Sequence, residues 1–136
     1  MTVRNAAVWL ALGFLAMPAL AQTSGAERGK YLVEQIGKCG SCHTPRLPDG
    51  KPDESKAMKG AALNIQPIKP VEDWHAVAPD ITGESALWKR WGEEGVVKFL
   101  VEGLSPKGNS AGPPMPTFKM RKEDAQAIVD YLKTLK

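Results

Sequence analysis

The alternation of apolar and polar positions divides the chain into an apolar opening and four short helical segments separated by proline-rich stretches. Behind Arg4, the run Ala6–Met17 holds no charge, and Pro18 interrupts it. Ala19-Leu20-Ala21 then places small residues at alternate positions, the pattern of a secretory signal peptide cleaved after Ala21. The apolar stretch from Ala6 to Ala21 is 16 residues long, short of the roughly 18–20 that span a bilayer. The expectation is a cleaved signal peptide at residues 1–21 and a single exported domain at residues 22–136. With its cysteines at positions 39 and 42, the chain has none near that site to carry a lipid anchor.

Ser24 and Glu27 form a capping-box pattern that predicts a helix from about Gly25. Gly29, Leu32, Val33 and Ile36 recur on one face, and Gly37 is a natural stop. Leu87, Trp88 and Trp91 predict a second short helix. Glu93 and Glu94 at the front of Val96–Val101, with Gly103 behind, predict a third. The strongest pattern runs from Lys122 to Leu135, where Ala125, Ile128, Val129, Leu132 and Leu135 form an apolar stripe. No stretch alternates in the manner of a strand, and no internal repeat is present. Between the helices, residues 43–82 and 104–119 are broken by prolines. Loops of that length are rare in a compact domain unless they wrap something, and such short helices need a large apolar partner to complete a core.

Composition narrows the class without naming it. Hydrophobic residues are 43% and charged residues 24% of 136, ordinary globular usage that excludes wholesale disorder. The formal charge of +3 is far below the clustered excess of a nucleic-acid binder. It falls to +2 when Arg4 leaves without an accompanying acid. Two ionised carboxylates on a bound cofactor would bring the total to about zero, so charge alone argues for no partner. With only 2 cysteines, a disulfide framework is excluded.

Those cysteines carry the chemistry. Cys39-Gly40-Ser41-Cys42-His43 is a C-x-x-C-H sequence, the attachment site of a c-type haem. Each thiol adds to one vinyl group of the porphyrin, and the adjacent His43 lies beneath the iron as a ligand. Two other readings compete. A thioredoxin-like dithiol requires a strand before the motif, whereas here a helix precedes it. A zinc site would have to recruit Cys39, Cys42, His43 and His75, and adjacent Cys42 and His43 suit a single tetrahedral ion poorly. His75 reads as a loop residue beside Trp74.

For the sixth iron position the candidates outside the signal are Met58, Met115 and Met120. Met115 lies in Pro113-Pro114-Met115-Pro116, whose prolines stiffen the segment and reduce the entropy lost on holding a thioether at a metal. It is the favoured ligand. Met120, beside the start of the last helix, is the runner-up, with core filling as its alternative role.

Together, Gly29-Lys30-Tyr31-Leu32 with Cys39–Arg46, Pro79-Asp80-Ile81-Thr82, and Gly112–Phe118 running into Ile128–Leu132 resemble a class I, mono-haem bacterial cytochrome c. They are similar in particular to the haem modules of periplasmic dehydrogenase cytochrome subunits. Those modules often carry several C-x-x-C-H sites and commonly read Pro-Asn-Ile-Thr, where this chain has one site and Asp80. The resemblance implies an all-α fold of short helices and proline-rich loops wrapped around one covalently bound haem c. It also implies that Gly29 faces the last helix near Ile128 and Tyr131.

The function implied is a periplasmic one-electron carrier with His43 and Met115 as axial ligands. It would pass electrons from a dehydrogenase or other redox donor to a respiratory acceptor, with no catalytic residues of its own. His/Met ligation favours a high-potential centre. A five-coordinate haem enzyme or gas sensor, and a dedicated subunit of a dehydrogenase complex, are the alternatives. Trp74, Trp88, Trp91 and Phe118 are candidates for the haem pocket or for plain core, and Arg46 for a propionate partner. Lys38, Lys51, Lys56, Lys59 and Lys119 could form a rim that steers acidic partners, or simply a solvated surface.

Overall fold

The computed structural model describes residues 25–136; the expected signal peptide and Ser24 of the expected capping box lie outside the described residues. Four α-helices organise the rest: α1 Gly25–Tyr31, α2 Gly40–His43, α3 Ala86–Glu102 and α4 Lys122–Leu132. The expected helices are found at α1, within α3 and at α4, whereas the single turn α2 at the C-x-x-C-H motif was not among them.

Helices α1 and α4 make the principal contact, and Gly29 is the reason they can approach so closely. A Cβ at this position would stand 1.8 Å from the Ala127 carbonyl oxygen and 2.8 Å from Tyr131 Cβ. Gly29 therefore faces Ala127 and Tyr131, one residue from the expected Ile128. On α4, Ala125 and Val129 are fully buried, and Ile128 and Leu132 nearly so, as its apolar stripe requires. Val33, Val96, Val97, Leu100 and Met58 complete the core. Arg28 Nε donates to Asp124 Oδ1 at 2.7 Å across the crossing, and the Tyr131 hydroxyl donates to Glu34 Oε1 at 2.7 Å. Burial and the Glu34 carboxylate push the Tyr131 phenol well above its ordinary range.

The first helix ends differently from its pattern. After Tyr31 the chain widens into a π-turn, Leu32–Ile36, closed by Gly37 N–H on the Leu32 carbonyl at 2.7 Å. A π-turn takes more residues per revolution than an α-helix, so Ile36, expected on the buried face, rotates out to 59% exposure. Gly37 stays right-handed (φ −76°), and the left-handed step falls on Lys38 (φ 49°). Cys39 N–H then returns to the Val33 carbonyl at 3.0 Å, aiming the chain into α2.

Within α3, Gly92 (φ 65°, ψ 175°) separates two helical pieces, in agreement with the two helices expected there. Without a Cβ, glycine enters this region at no steric cost. Helix α4 stops at Leu132, three residues before the expected end at Leu135. Gly83 N–H takes the Leu135 carbonyl at 3.0 Å, and the Thr134 hydroxyl takes that of Tyr131 at 2.7 Å. These contacts draw the terminal turn out of helical geometry while leaving Leu135 packed on the core.

The loop before α3 contains structure that the pattern did not signal. Ala61–Ala62 (β1) pairs antiparallel with Val77–Ala78 (β2), Ala61 opposite Ala78 and Ala62 opposite Val77. Two-residue strands are too short to show a period. Their importance is positional, because the bonds on either side of them reach the functional site.

Candidate functional site

Helix α2 is a single turn, held by His43 N–H on the Cys39 carbonyl at 2.9 Å and Thr44 N–H on that of Gly40 at 3.2 Å. Cys42 and His43 stand three and four residues after Cys39, so each is a helical neighbour of Cys39. The motif thus places two thiols and an imidazole on one turn. Both cysteines are free and half-buried, and burial raises the Cys39 thiol above its ordinary value.

His43 is buried, with 5% of its surface exposed. Its Nδ1 lies 2.7 Å from the Pro79 carbonyl oxygen. A carbonyl only accepts, so Nδ1 carries the proton and Nε2 keeps its lone pair. Burial lowers the His43 pKa, partly opposed by the Pro79 bond. A neutral imidazole, oriented by a hydrogen bond through its far nitrogen, is the form in which histidine binds a metal. One C-x-x-C-H turn that carries two thiols and a neutral imidazole with its Nε2 lone pair free has the donor set that a thioether-bound haem requires, and the residues fit the group.

The three methionines occupy different environments. Met58 is buried in the core, its methyl 3.3 Å from where a Gly40 Cβ would stand. Its N–H donates to Thr44 Oγ1 at 3.1 Å, and its carbonyl accepts from Ile81 N–H at 3.0 Å. Met120 packs against the core cluster, with its N–H on the Leu100 carbonyl at 3.0 Å. Met115 stands outside that cluster, half-buried on the proline loop, its N–H turned back on the Gly112 carbonyl at 3.2 Å.

The segment His75–Pro79 links this loop to the histidine. Pro79 presents its carbonyl to His43, while His75 N–H donates to the Pro113 carbonyl at 2.8 Å. His75 is exposed and lies against Gly112, away from a cysteine cluster. Among the described residues, no three His, Cys, Asp or Glu side chains gather where they could hold a metal ion. The four-ligand zinc alternative finds no support in that arrangement. The helix before the motif likewise disfavours a thioredoxin-like dithiol.

Trp88, Trp91 and Phe118 pack around the core, whereas Trp74 is half-buried outside that cluster. Trp88 Nε1 donates to the Thr82 carbonyl, and Trp91 meets Phe99 with ring centroids 5.3 Å apart. Arg46 borders a groove of about 290 Å³ shared with Cys42, Thr44 and Ala61, and donates through Nη1 to the Gly50 carbonyl at 2.8 Å. The lysines are largely engaged at home: Lys51 with Asp49, Lys56 with Asp53, Lys59 with Glu84, and Lys119 with the Glu102 carbonyl. Lys38 reaches Gln35 at 3.4 Å. Local pairing of this kind favours the solvated-surface reading over a steering rim.

Two contributors escaped the sequence reading. The Pro79 carbonyl is a backbone atom, marked only by Pro79-Asp80-Ile81-Thr82. The Thr44 hydroxyl accepts the buried Met58 N–H, a role for which the residue beside His43 has no distinctive spacing.

Comparison with known proteins gives the family. Residues 26–136 match the profile of the family described as Cytochrome c. The chain is 36% identical over 112 residues to a diheme cytochrome c-type protein of Cereibacter sphaeroides, covering 79% of this chain and 34% of that protein. It is 30% identical over 115 residues to the fructose dehydrogenase cytochrome subunit of Gluconobacter japonicus, covering 79% and 21%. It is 32% identical over 116 residues to the cytochrome c subunit of the quinone alcohol dehydrogenase of Gluconacetobacter polyoxogenes, covering 79% and 24%. The chain therefore spans about a third or less of the length of these relatives.

The chain belongs to the cytochrome c family. Within it, this is a class I cytochrome c resembling the cytochrome subunits of dehydrogenases.

Proposed function

We propose that residues 22–136 act in the periplasm as a one-electron carrier holding a single haem c through Cys39 and Cys42, with His43 and Met115 as axial ligands. The observation that carries this reading is the His43–Pro79 bond at 2.7 Å, which fixes the tautomer and leaves Nε2 for iron. When bound, the haem supplies the Fe(III)/Fe(II) couple, raised in potential by a thioether ligand. The chain's own part is to hold the imidazole neutral and oriented, to anchor the macrocycle at two points, and to exclude water. The stiff Pro113–Pro116 loop presents Met115. Were His43 and Met115 both to hold the iron, no position would be left for oxygen or substrate, which separates a carrier from a haem enzyme or gas sensor.

No helix among the described residues is long and apolar enough to cross a membrane, and export rests on the expected signal at residues 1–21. A second reading makes the chain a dedicated subunit of a dehydrogenase. Its support is the dehydrogenase names carried by relatives at 30% and 32% identity; co-purification with a large catalytic partner would establish it. The carrier reading is tested by mixing ferrous protein with carbon monoxide. Slow binding, limited by loss of the sixth ligand, is expected; rapid binding would place the protein among the ligand-binding haem proteins.

A further inference from the structure

We propose that His75 is a positioning residue for Met115, gripping the Gly112–Met115 turn from the far end of the strand segment that orients His43. The inference rests on the reading of Met115 as an iron ligand. Three contacts carry it. His75 N–H holds the Pro113 carbonyl at 2.8 Å. The His75 ring lies against Gly112, where an added Cβ would come within 2.8 Å of Cδ2 and 2.9 Å of Nε2. The turn is closed by Met115 N–H on the Gly112 carbonyl at 3.2 Å.

The segment from His75 to Pro79 thus works as a bracket. One end fixes the imidazole through a carbonyl, and the other fixes the methionine loop through an N–H. Pairing of β1 with β2 through Ala61–Ala78 and Ala62–Val77, continued by Leu63 N–H on the Ala76 carbonyl at 2.8 Å, keeps the bracket from flexing. Met115 stands outside the core cluster, so its position depends on such a support, and a displacement of about 1 Å at a reacting centre can change rates by roughly 100-fold.

Two glycines of one loop separate this role from generic strain. Gly112 and Gly108 both have positive φ, 72° and 83°, but a Cβ at Gly108 meets nothing within 4 Å. Alanine at either position pays the same left-handed cost; only at Gly112 does it also meet neighbours, the His75 ring and the Asp73 carbonyl oxygen at 3.0 Å, of which removing the ring relieves the first. The experiment compares ferric holoprotein carrying G108A, G112A, H75A and G112A/H75A by the weak near-infrared band of the methionine–iron bond, with carbon monoxide binding to the ferrous forms.

G108A should keep the band. G112A should lose most of it and bind carbon monoxide at least ~10-fold faster. H75A should weaken the band, and removal of the ring in G112A/H75A should recover part of what G112A loses. Equal spectra for G108A and G112A, or no recovery in the double variant, would overturn the proposal. If G112A does not fold, H75P removes the N–H that holds the Pro113 carbonyl, and a band as strong as in wild type in both H75A and H75P does the same. M115A runs alongside: persistence of its band would refute methionine ligation at that position, a failure distinct from that of the bracket.

Discussion

The Gly29→Ala substitution probes the helix crossing on which the fold depends. The added Cβ would lie 1.8 Å from the Ala127 carbonyl oxygen, 2.6 Å from its carbon and 2.8 Å from Tyr131 Cβ. Two of these three atoms belong to the backbone of α4, so no rotamer change relieves the overlap. Normal carbon–oxygen contacts are about 3.3–3.6 Å, so the helices must part by roughly 1.5 Å. A gap of ~0.5–1 Å already forfeits a quarter to a half of the dispersion attraction. Val33, Ala125 and Val129, all with 0% exposure, sit within this packing. Overpacking with backbone shifts costs about 3 kcal/mol at the upper end of its usual range, and replacing a helical glycine by alanine returns about 1 kcal/mol. The net loss of about 2 kcal/mol corresponds to a fall in Tm of roughly 8–16 °C for a domain near this size. Thermal unfolding of the holoprotein, followed by far-ultraviolet circular dichroism, measures it. Gly50→Ala, where a Cβ meets nothing within 4 Å and the only penalty is the left-handed backbone (φ 84°), about 1–2 kcal/mol, is the comparison that carries strain without overlap. A Gly29→Ala protein that melts within about 2 °C of wild type would refute the claim that close approach at this residue sets the crossing.

Two further perturbations test the surroundings of the site and the ion pair across the crossing. Thr44→Val removes the hydroxyl that accepts the buried Met58 N–H at 3.1 Å; a loss of about 1–3 kcal/mol in denaturant unfolding is expected, and no loss would show that the bond contributes nothing. Asp124 has its pKa lowered by its hydrogen bond and charge interaction with Arg28. A depressed folded pKa means that its stabilisation is present above the ordinary carboxylate pKa of about 4 and disappears as pH falls through the folded value. The stability difference between wild type and Asp124→Asn should therefore shrink on acidification below about pH 4. A difference that stays constant with pH would contradict the assignment.

How much of this was legible depends on whether a feature is written in side-chain identity or in backbone atoms. The α4 stripe of Ala125, Ile128, Val129 and Leu132 declares itself by period, and all four are buried. Cys39, Cys42 and His43 declare themselves because haem attachment constrains both residue type and spacing. The division of α3 was legible from Glu93 and Glu94, which mark a second helix start, while the break itself falls on Gly92. The ends were less readable. Ile36 fits the helical period yet emerges into solvent, because a π-turn shifts the register without a compositional mark. Leu135 fits the stripe, but its carbonyl is taken by Gly83, a partner 52 residues away in sequence.

The Pro79 carbonyl and the His75 N–H illustrate the same limit within the site. Every residue has a carbonyl, and all but proline have an N–H, so their roles arise only once the β1–β2 ladder has placed them. His75 read as an ordinary loop residue for that reason. The proposed haem attachment could be read from five consecutive residues; the proposed support for the Met115 loop required the folded chain.

The central claim is that this chain holds a haem between His43 and Met115. The most direct measurement is near-infrared absorption of the ferric holoprotein in wild type, Met115→Ala and Met120→Ala. The band should be present in wild type and Met120→Ala and absent from Met115→Ala. A band that survives in Met115→Ala and vanishes in Met120→Ala would move the sixth ligand to Met120 and contradict the account.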